Sequence, residues 1–395
     1  MNSVPMKIDP AFLNALRSPT RDRPLREVDP FILSDGEECW PCFDGIPFLR
    51  IGRDALRESV LAAIRDGRPL DGLALLLADR KDETIPPAAP EAARRVAGGV
   101  ATVGEAMHGL GYGGMAPYMY HRWCLPTYLS GLALLEAHAP EGATLFEVGC
   151  GLGHFIRSWI DNSGPAIGSD LVFSNLWLAR RYVAPRANFV CFDANVSFPL
   201  ASHCADVSFS QDAFHYFRMK EHVMHEMRRV AARGIVILGH VHNARHDNFS
   251  AGLPLELDAY LSYVRPSVVY DDEALTNAAL TGTPAKPARL PAELEEIEAF
   301  AFACGEVADL KTPRLTLPRY GTVLQVNPLI TQHGVSWPSA RFEQEFSNGW
   351  NYWNDMRFPP QRIVDAARAG KIGIDPECDW YIRRRVMLDL PEGWR

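Results

Sequence analysis

The stretch Glu147-Val148-Gly149-Cys150-Gly151-Leu152-Gly153-His154-Phe155 decides the fold. An apolar run, Leu145-Phe146-Glu147-Val148, breaks into three glycines at every second position. Apolar residues then resume at helical spacing as Phe155, Ile156, Trp159 and Ile160. This is a strand, a tight turn and an amphipathic helix. Glycine lets the backbone turn left-handed and lets a ligand approach it closely, and the helix N-terminus offers unpaired N–H groups to that ligand. The pattern is E-x-G-x-G-x-G with the acidic residue inside the strand, which separates it from the G-x-G-x-x-G turn that cradles a pyrophosphate.

Working outward, short apolar runs alternate with helical stretches from about residue 100 to 245. Pro126 to Ala137 reads as a helix. Strands are predicted at 145–148, 166–169, 188–192, 207–210 and 234–238, each rich in Val, Ile or Phe as buried parallel strands are. Such alternation predicts an α/β fold, a Rossmann-like, mostly parallel sheet with helices on both faces. Three segments are expected: a ribbon and helical segment over 1–85, the Rossmann-like core over 100–250, and an extension over 251–395. In the first, 45–50 reads as a strand, Asp54 as the cap of a helix, and 85–90 as a proline-rich linker. In the last, 251–280 reads as a helical insertion and 281–291 as a connector. Gly321 to Val326 reads as the strand that closes the sheet.

The glycine stretch resembles motif I of the class I S-adenosylmethionine-dependent methyltransferases, in which the glycines pack under the methionine part of the cofactor. The matching positions are Glu147, Gly149, Gly151 and Gly153. The neighbours resemble the same family in order and spacing. Ile167-Gly168-Ser169-Asp170 ends a strand in the carboxylate that the family places on the ribose hydroxyls, although an aspartate at a strand end also serves as a helix cap. Cys191-Phe192-Asp193-Ala194 resembles the adenine segment, which assigns Asp193 and Ala194 to the base. Ala205 to Tyr216 resembles the fourth strand and its loop, with Gln211 against the methionine part. Glu226 to Val230 and Gly234 to Leu238 resemble the helix and fifth strand of methyltransferase type 11-like domains. The usual Gly-Gly turn before that strand is reduced to Arg233-Gly234. The resemblance covers neither the first 100 residues nor the last 145, although Cys39 to Arg50 is similar to small ribbon domains that precede some bacterial methyltransferases.

Ligands of open α/β sheets bind at the carboxyl ends of the strands, so the residues after strands four and five are the catalytic candidates. His215 is the first choice for a general base, since a neutral imidazole accepts a proton near pH 7; packing against the cofactor is its bland alternative. His242 follows strand five. Tyr120 belongs to the aromatic stretch Tyr112 to Trp123, whose place before motif I suits a lid. There Tyr120 or Arg122 would hold the cofactor carboxylate, and Tyr118 and Trp123 would face the sulfonium. His240 and His242 share a face of an extended stretch, but the spacing to His246 fits no metal motif, and no metal is expected. Cys39-Trp40-Pro41-Cys42 lacks the second pair that a zinc ribbon needs and reads as a turn without metal. Trp350, Tyr352 and Trp353 read as core or as the contact of a homodimer.

A net charge of −8, with 47% hydrophobic and 22% charged residues, describes an ordinary soluble chain and argues against a general nucleic-acid binder. Basic clusters at Arg180-Arg181 and Arg383 to Arg385 read as solvated faces. No apolar run nears the roughly 18 residues that span a bilayer. The N-terminus has no signal-peptide pattern. The scattered eight cysteines fit free thiols in a reducing cytoplasm. Together with the resemblance, these point to methyl transfer from S-adenosylmethionine to a small molecule of secondary metabolism. No Asn-Pro-Pro-Tyr-type tetrapeptide follows strand four, which speaks against a DNA or protein amine. Two alternatives stay open: a cyclase or lyase that consumes S-adenosylmethionine and releases methylthioadenosine, and a subunit that binds the cofactor without chemistry.

Overall fold

A computed structural model describes residues 8–394 except 82–84, 248–251, 289–290, 307–317, 319–320, 348–351, 354–355 and 372–375. Its main sheet has seven strands: β1 (Leu145–Val148), β2 (Ala166–Asp170), β3 (Asn188–Cys191), β4 (Ala205–Gln211), β5 (Ala231–His242), β6 (Val268–Asp271) and β7 (Ala299–Cys304). Their order is β6-β7-β5-β4-β1-β2-β3. β1 pairs in parallel with both β2 and β4, and β2 with β3, while β6 and β7 are antiparallel. The order reverses beside β1, which makes the end of that strand the switch point where open sheets bind ligands. The expected α/β Rossmann-like architecture is the observed one.

The chain falls into two compact units that do not follow chain order. One comprises Met1–Gly113, Glu141–Val236 and Glu392–Arg395, the other Gly114–Pro140 and Ile237–Pro391. In the first, β1 is buried along its whole length, as a strand covered on both faces must be. The helices α2 (His154–Asn162), α3 (Phe173–Leu178) and α4 (Lys220–Val230) follow β1, β2 and β4. Before them lies an antiparallel ribbon of four strands, Arg26–Asp29, Ile32–Ser34, Cys39–Phe43 and Ile46–Pro47. Cys39 and Cys42 sit on one strand at an odd offset, so their side chains leave opposite faces and the pair is no metal knuckle. The next helix, Asp54–Arg65, has Arg53 at its cap position and Asp54 as its first residue, so it starts one residue earlier than a cap at Asp54 would place it.

In the second unit, α1 (Pro126–His138) is buried on nearly every side, the state of a helix that is apolar all round. It packs on α6 (Asp272–Thr281), where the Thr276 hydroxyl donates to the Pro126 carbonyl at 3.1 Å. The 251–280 stretch is not wholly helical: α5 (Leu257–Val264) and α6 flank strand β6. The expected sheet-closing strand at 321–326 is also corrected. Only Gln325–Val326 is extended, and it pairs with Met387–Leu388 in a separate two-stranded sheet. The strand beside β5 in the main sheet is instead β7, Ala-Phe-Ala-Phe-Ala-Cys, all six residues of which are buried. Val323 by contrast is 54% exposed, and within 321–326 Leu324 alone is buried. Tyr352 and Trp353 are buried, as the core reading expects, while Trp350 lies outside the described residues.

Candidate functional site

In the first unit the glycine turn takes the backbone that its sequence asks for. Gly149, Gly151 and Gly153 have φ of +75°, +53° and +72°, in the left-handed region that L side chains avoid. A Cβ on Gly149 would lie 2.8 Å from the Ala213 Cβ, so the turn after β1 packs directly on the loop after β4. The Gly149 and Cys150 amides both donate to the Ser169 carbonyl at 2.9 Å, which ties the turn to the end of β2. Ser210 fastens β4 to β1 by donating its hydroxyl to the Val148 carbonyl at 3.0 Å. Glu147, on β1, is 2% exposed.

Asp170 organises the centre. Its Oδ2 accepts from the Gly151 amide at 3.0 Å, and its Oδ1 from the Val172 amide at 2.8 Å and the Asn175 side-chain amide at 3.2 Å. Asp170 thus caps the turn into α3 and clamps the glycine loop at once. A carboxylate accepts at about four lone-pair positions, so three donors leave room for one more. Burial raises its pKa above the ordinary value, opposed by those hydrogen bonds and by the Arg50 guanidinium. Behind Asn175 stands Tyr112, whose hydroxyl donates to Asn175 Oδ1 at 2.7 Å and lies 3.1 Å from the Ser174 hydroxyl. Sequence reasoning grouped Tyr112 with the aromatics of a lid; its structural neighbours are the supports of Asp170.

Asp193 and Ala194 follow β3. The Asp193 carboxylate accepts from the backbone and side-chain amides of Asn195 at 2.9 and 2.8 Å. Asn195 in turn accepts from the Arg218 and Met219 amides at 2.7 and 3.1 Å, joining the loops after β3 and β4. Gln211 ends β4 and is 3% exposed. Asp212, next to it, is a non-glycine residue at φ +54°, a costly backbone that clusters at functional sites. His215 lies in the 3-10 turn Phe214–Tyr216 and is fully buried. Lys220, itself buried, donates to the carbonyls of His215 at 3.2 Å and Phe217 at 2.6 Å and so closes this turn. Nothing in the sequence singles out Lys220; it stands among the polar residues of α4.

The remaining candidates belong to the second unit. His242 is buried near the end of β5, with its ring 5.0 Å from that of His240. His240 has φ +47°, and its amide and Nδ1 both meet the Asp272 carboxylate, at 3.2 and 2.9 Å. The Tyr260 hydroxyl donates to the His242 carbonyl at 3.2 Å. Tyr120 lies on the short helix Met115–His121, half-buried, its ring edge-on to His121 at 5.0 Å. Of the neighbours named for the cofactor, Arg122 is buried over the Tyr118 ring at 5.1 Å and donates to its hydroxyl. Trp123 is 2% exposed against Tyr128. Tyr118 itself stacks on Phe346 at 6.0 Å.

Residues 146–238 match the family described as "Methyltransferase domain". That match agrees with the resemblance of the glycine motif to the class I S-adenosylmethionine-dependent methyltransferases. The match runs from Phe146 in β1 to Leu238 in β5 and takes in Glu147, the three glycines, Asp170, Asp193, Ala194 and Gln211, but not Tyr118, Tyr120, Arg122 or Trp123. No curated protein matches the chain. Among solved structures, a TehB-like SAM-dependent methyltransferase from Corynebacterium glutamicum is 16% identical over 45% of this chain and 88% of its own, with a TM-score of 0.34. The cyclase SpnF is 19% identical over 46% and 81%, at 0.34. A geranyl diphosphate C-methyltransferase from Streptomyces coelicolor is 13% identical over 44% and 75%, also at 0.34. At such values the three likenesses carry no argument about chemistry.

The methyltransferase domain's own geometry fits that cofactor. The left-handed glycines bring bare backbone to the switch point of the sheet, and Asp170 keeps one acceptor position for a hydroxyl. Among the described residues no helix is long and apolar enough to cross a membrane, and all eight cysteines are free thiols.

Proposed function

We propose that the chain is an S-adenosylmethionine-dependent methyltransferase acting on a small molecule in the cytoplasm. The carrying observation is the Asp170 carboxylate, which accepts from Gly151 in the glycine turn while it ends β2. Bound S-adenosylmethionine supplies an electrophilic methyl group. Around it, Gly149, Gly151 and Gly153 give the backbone clearance, with Glu147 at the base of the turn. Asp170 takes the ribose hydroxyls, Asp193 and Ala194 the adenine, and Gln211 the methionine part. Positioning supplies much of the rate in such a transfer, because the acceptor needs mainly alignment and exclusion of water. His215 is the candidate for the acceptor's proton, with its turn held by Lys220. Tyr120 and His242 are candidates on the acceptor side, each to be tested by its own substitution. The net charge of −8 favours a small acceptor over nucleic acid. A homodimer is part of the proposal, to be checked by light scattering.

Mass spectrometry of the purified full chain incubated with S-adenosylmethionine, with and without a small-metabolite extract, tests this reading. S-adenosylhomocysteine formed only with extract supports it, and the accompanying gain of one methylene in mass identifies the acceptor. Methylthioadenosine formed without extract would overturn it in favour of a cyclase or lyase.

A further inference from the structure

We propose that Arg50, delivered by the N-terminal ribbon, is a positioning residue of the cofactor site that fixes the turn carrying Asp170. After the last ribbon strand the chain lies along the edge of β3. Phe48 bridges to Cys191 in parallel, and the Leu49 amide donates to the Cys191 carbonyl at 2.8 Å. The ribbon therefore extends the sheet at the carboxyl end of β3, beside the end of β2. Arg50 comes next and is 6% exposed. Its Nη1 donates to Asp79 Oδ2 at 2.9 Å, to the Arg80 carbonyl at 2.8 Å and to the Leu171 carbonyl at 3.4 Å; its Nη2 donates to the Lys81 carbonyl. Leu171 directly follows Asp170, so one guanidinium joins the segment around Asp79 to the residue beside the proposed ribose acceptor.

A buried ion pair is a poor source of stability, because desolvation consumes most of its Coulombic gain. What this pair does supply is a fixed cation beside a buried carboxylate. The titratable and charged groups around Asp170 are Arg50, with Asp79 and Arg53 behind it, Tyr112 with Arg80, Cys150 with Glu147, and Cys191. Burial pushes the Asp170 carboxyl toward its neutral form; its hydrogen bonds from Val172, Gly151 and Asn175 oppose that push, and the Arg50 guanidinium adds to them. An ionised Asp170 keeps its remaining acceptor position, on Oδ2, for a ribose hydroxyl, whereas a protonated one gives up an acceptor position.

The inference rests on Asp170 as the ribose acceptor, so the experiment separates the two. Full-length wild type, the double variant Arg50→Met with Asp79→Leu, and Asp170→Asn are titrated with S-adenosylmethionine by calorimetry from pH 5 to pH 8. Replacing both members avoids stranding either of them as an unpaired charge, and Arg53, the second partner of Asp79, keeps its bond to the Arg80 carbonyl at 3.2 Å, so the double variant should fold. It should bind about tenfold more weakly at pH 7.5, the loss of one hydrogen bond to a charged group. The acid fall-off of its affinity should also move to higher pH, a readout that a purely structural role would not shift. Wild-type affinity with an unmoved fall-off would overturn the proposal, provided Asp170→Asn is weak. Wild-type affinity in Asp170→Asn would instead remove the ribose reading on which it stands. Should the double variant not fold, Arg50→Lys decides. It keeps the charge and loses the planar fork, so weaker binding with an unmoved fall-off supports the proposal and unchanged binding overturns it.

Discussion

Replacing Gly149 by alanine tests whether the glycine turn is required by the packing of two loops or by backbone conformation alone. At φ +75° an L-residue costs about 1–2 kcal/mol. The new methyl would also lie 2.8 Å from the Ala213 Cβ. That neighbour is fixed to the backbone and has no rotamer with which to retreat, so relief requires one loop to move. Overpacking of this kind costs about 1–3 kcal/mol, and Gly149→Ala should therefore lose about 2–5 kcal/mol of stability. Ala213→Gly should cost only about 0.5–1 kcal/mol, the entropy of a glycine. The double variant keeps the conformational costs and loses the collision. Its destabilisation should fall short of the sum of the singles by about 1–3 kcal/mol.

Urea denaturation of the four proteins, with midpoints compared at unchanged slope, gives this coupling energy directly. A coupling below about 0.3 kcal/mol, the ordinary error of additivity, would mean that the loops after β1 and β4 do not meet as described. A Gly149→Ala variant as stable as wild type would refute the left-handed turn as well.

Asp170→Ala should weaken S-adenosylmethionine binding by about 1.5–3 kcal/mol, roughly 13- to 150-fold, as for a hydrogen bond to a charged group; calorimetry showing no change would place the ribose elsewhere. Burial lowers the pKa of His138 to about 4 from 6.5, so between those values the unfolded chain binds more protons and stability falls with falling pH, by about 3 kcal/mol in all. His138→Gln should flatten that part of a Tm-against-pH curve, and a variant with the wild-type slope would refute the assignment. Lys220 is pushed down to about 8 from 10.5, again by burial. The unfolded chain then binds the extra proton between pH 8 and 10.5, and stability should rise with pH across that window. The rise should be missing from Lys220→Met, and a rise equal to wild type there would mean that the ammonium is not desolvated.

Those features of the domain that were legible in the sequence are local ones. Strands β1 to β4 are largely buried and each carries Val, Ile or Phe at its centre, and the predicted bounds lie within two residues of the observed ones. The glycine turn is nine contiguous residues in which composition and required backbone coincide. Strand β5 was expected at 234–238 but continues to His242. Its end is polar in sequence, and it stays in the sheet because Asp272, thirty-two residues away, meets both the amide and the ring of His240. Strand β7 was passed over for the segment 321–326. Thr322, Val323 and Val326 are better strand formers than alanine, but the alternating alanines of β7 are small because that strand is buried throughout. Local propensity cannot weigh burial that only the finished fold supplies.

Arg50 was illegible for a stronger version of the same reason. Arg50 follows the apolar stretch Ile46 to Leu49, and nothing local in that stretch marks its guanidinium as buried. Here it is buried against an aspartate 29 residues away and a carbonyl 121 residues away. Taking that guanidinium out of water is unfavourable unless all its neighbours are already in place. The ribbon, the edge of β3 and the turn after β2 must therefore assemble together, and no window of sequence contains all three. Asp170 shows the two regimes side by side. Its position after the motif marks it as a ribose acceptor, and its bond from the Val172 amide in the turn before α3 is equally local. Its bond to Gly151 exists only because β1 and β2 are neighbours in register, Val148 opposite Ser169. That bond makes the two readings compatible: the carboxylate that caps the α3 turn is held, by the same fixed orientation, at the edge of the glycine loop where a ribose would lie.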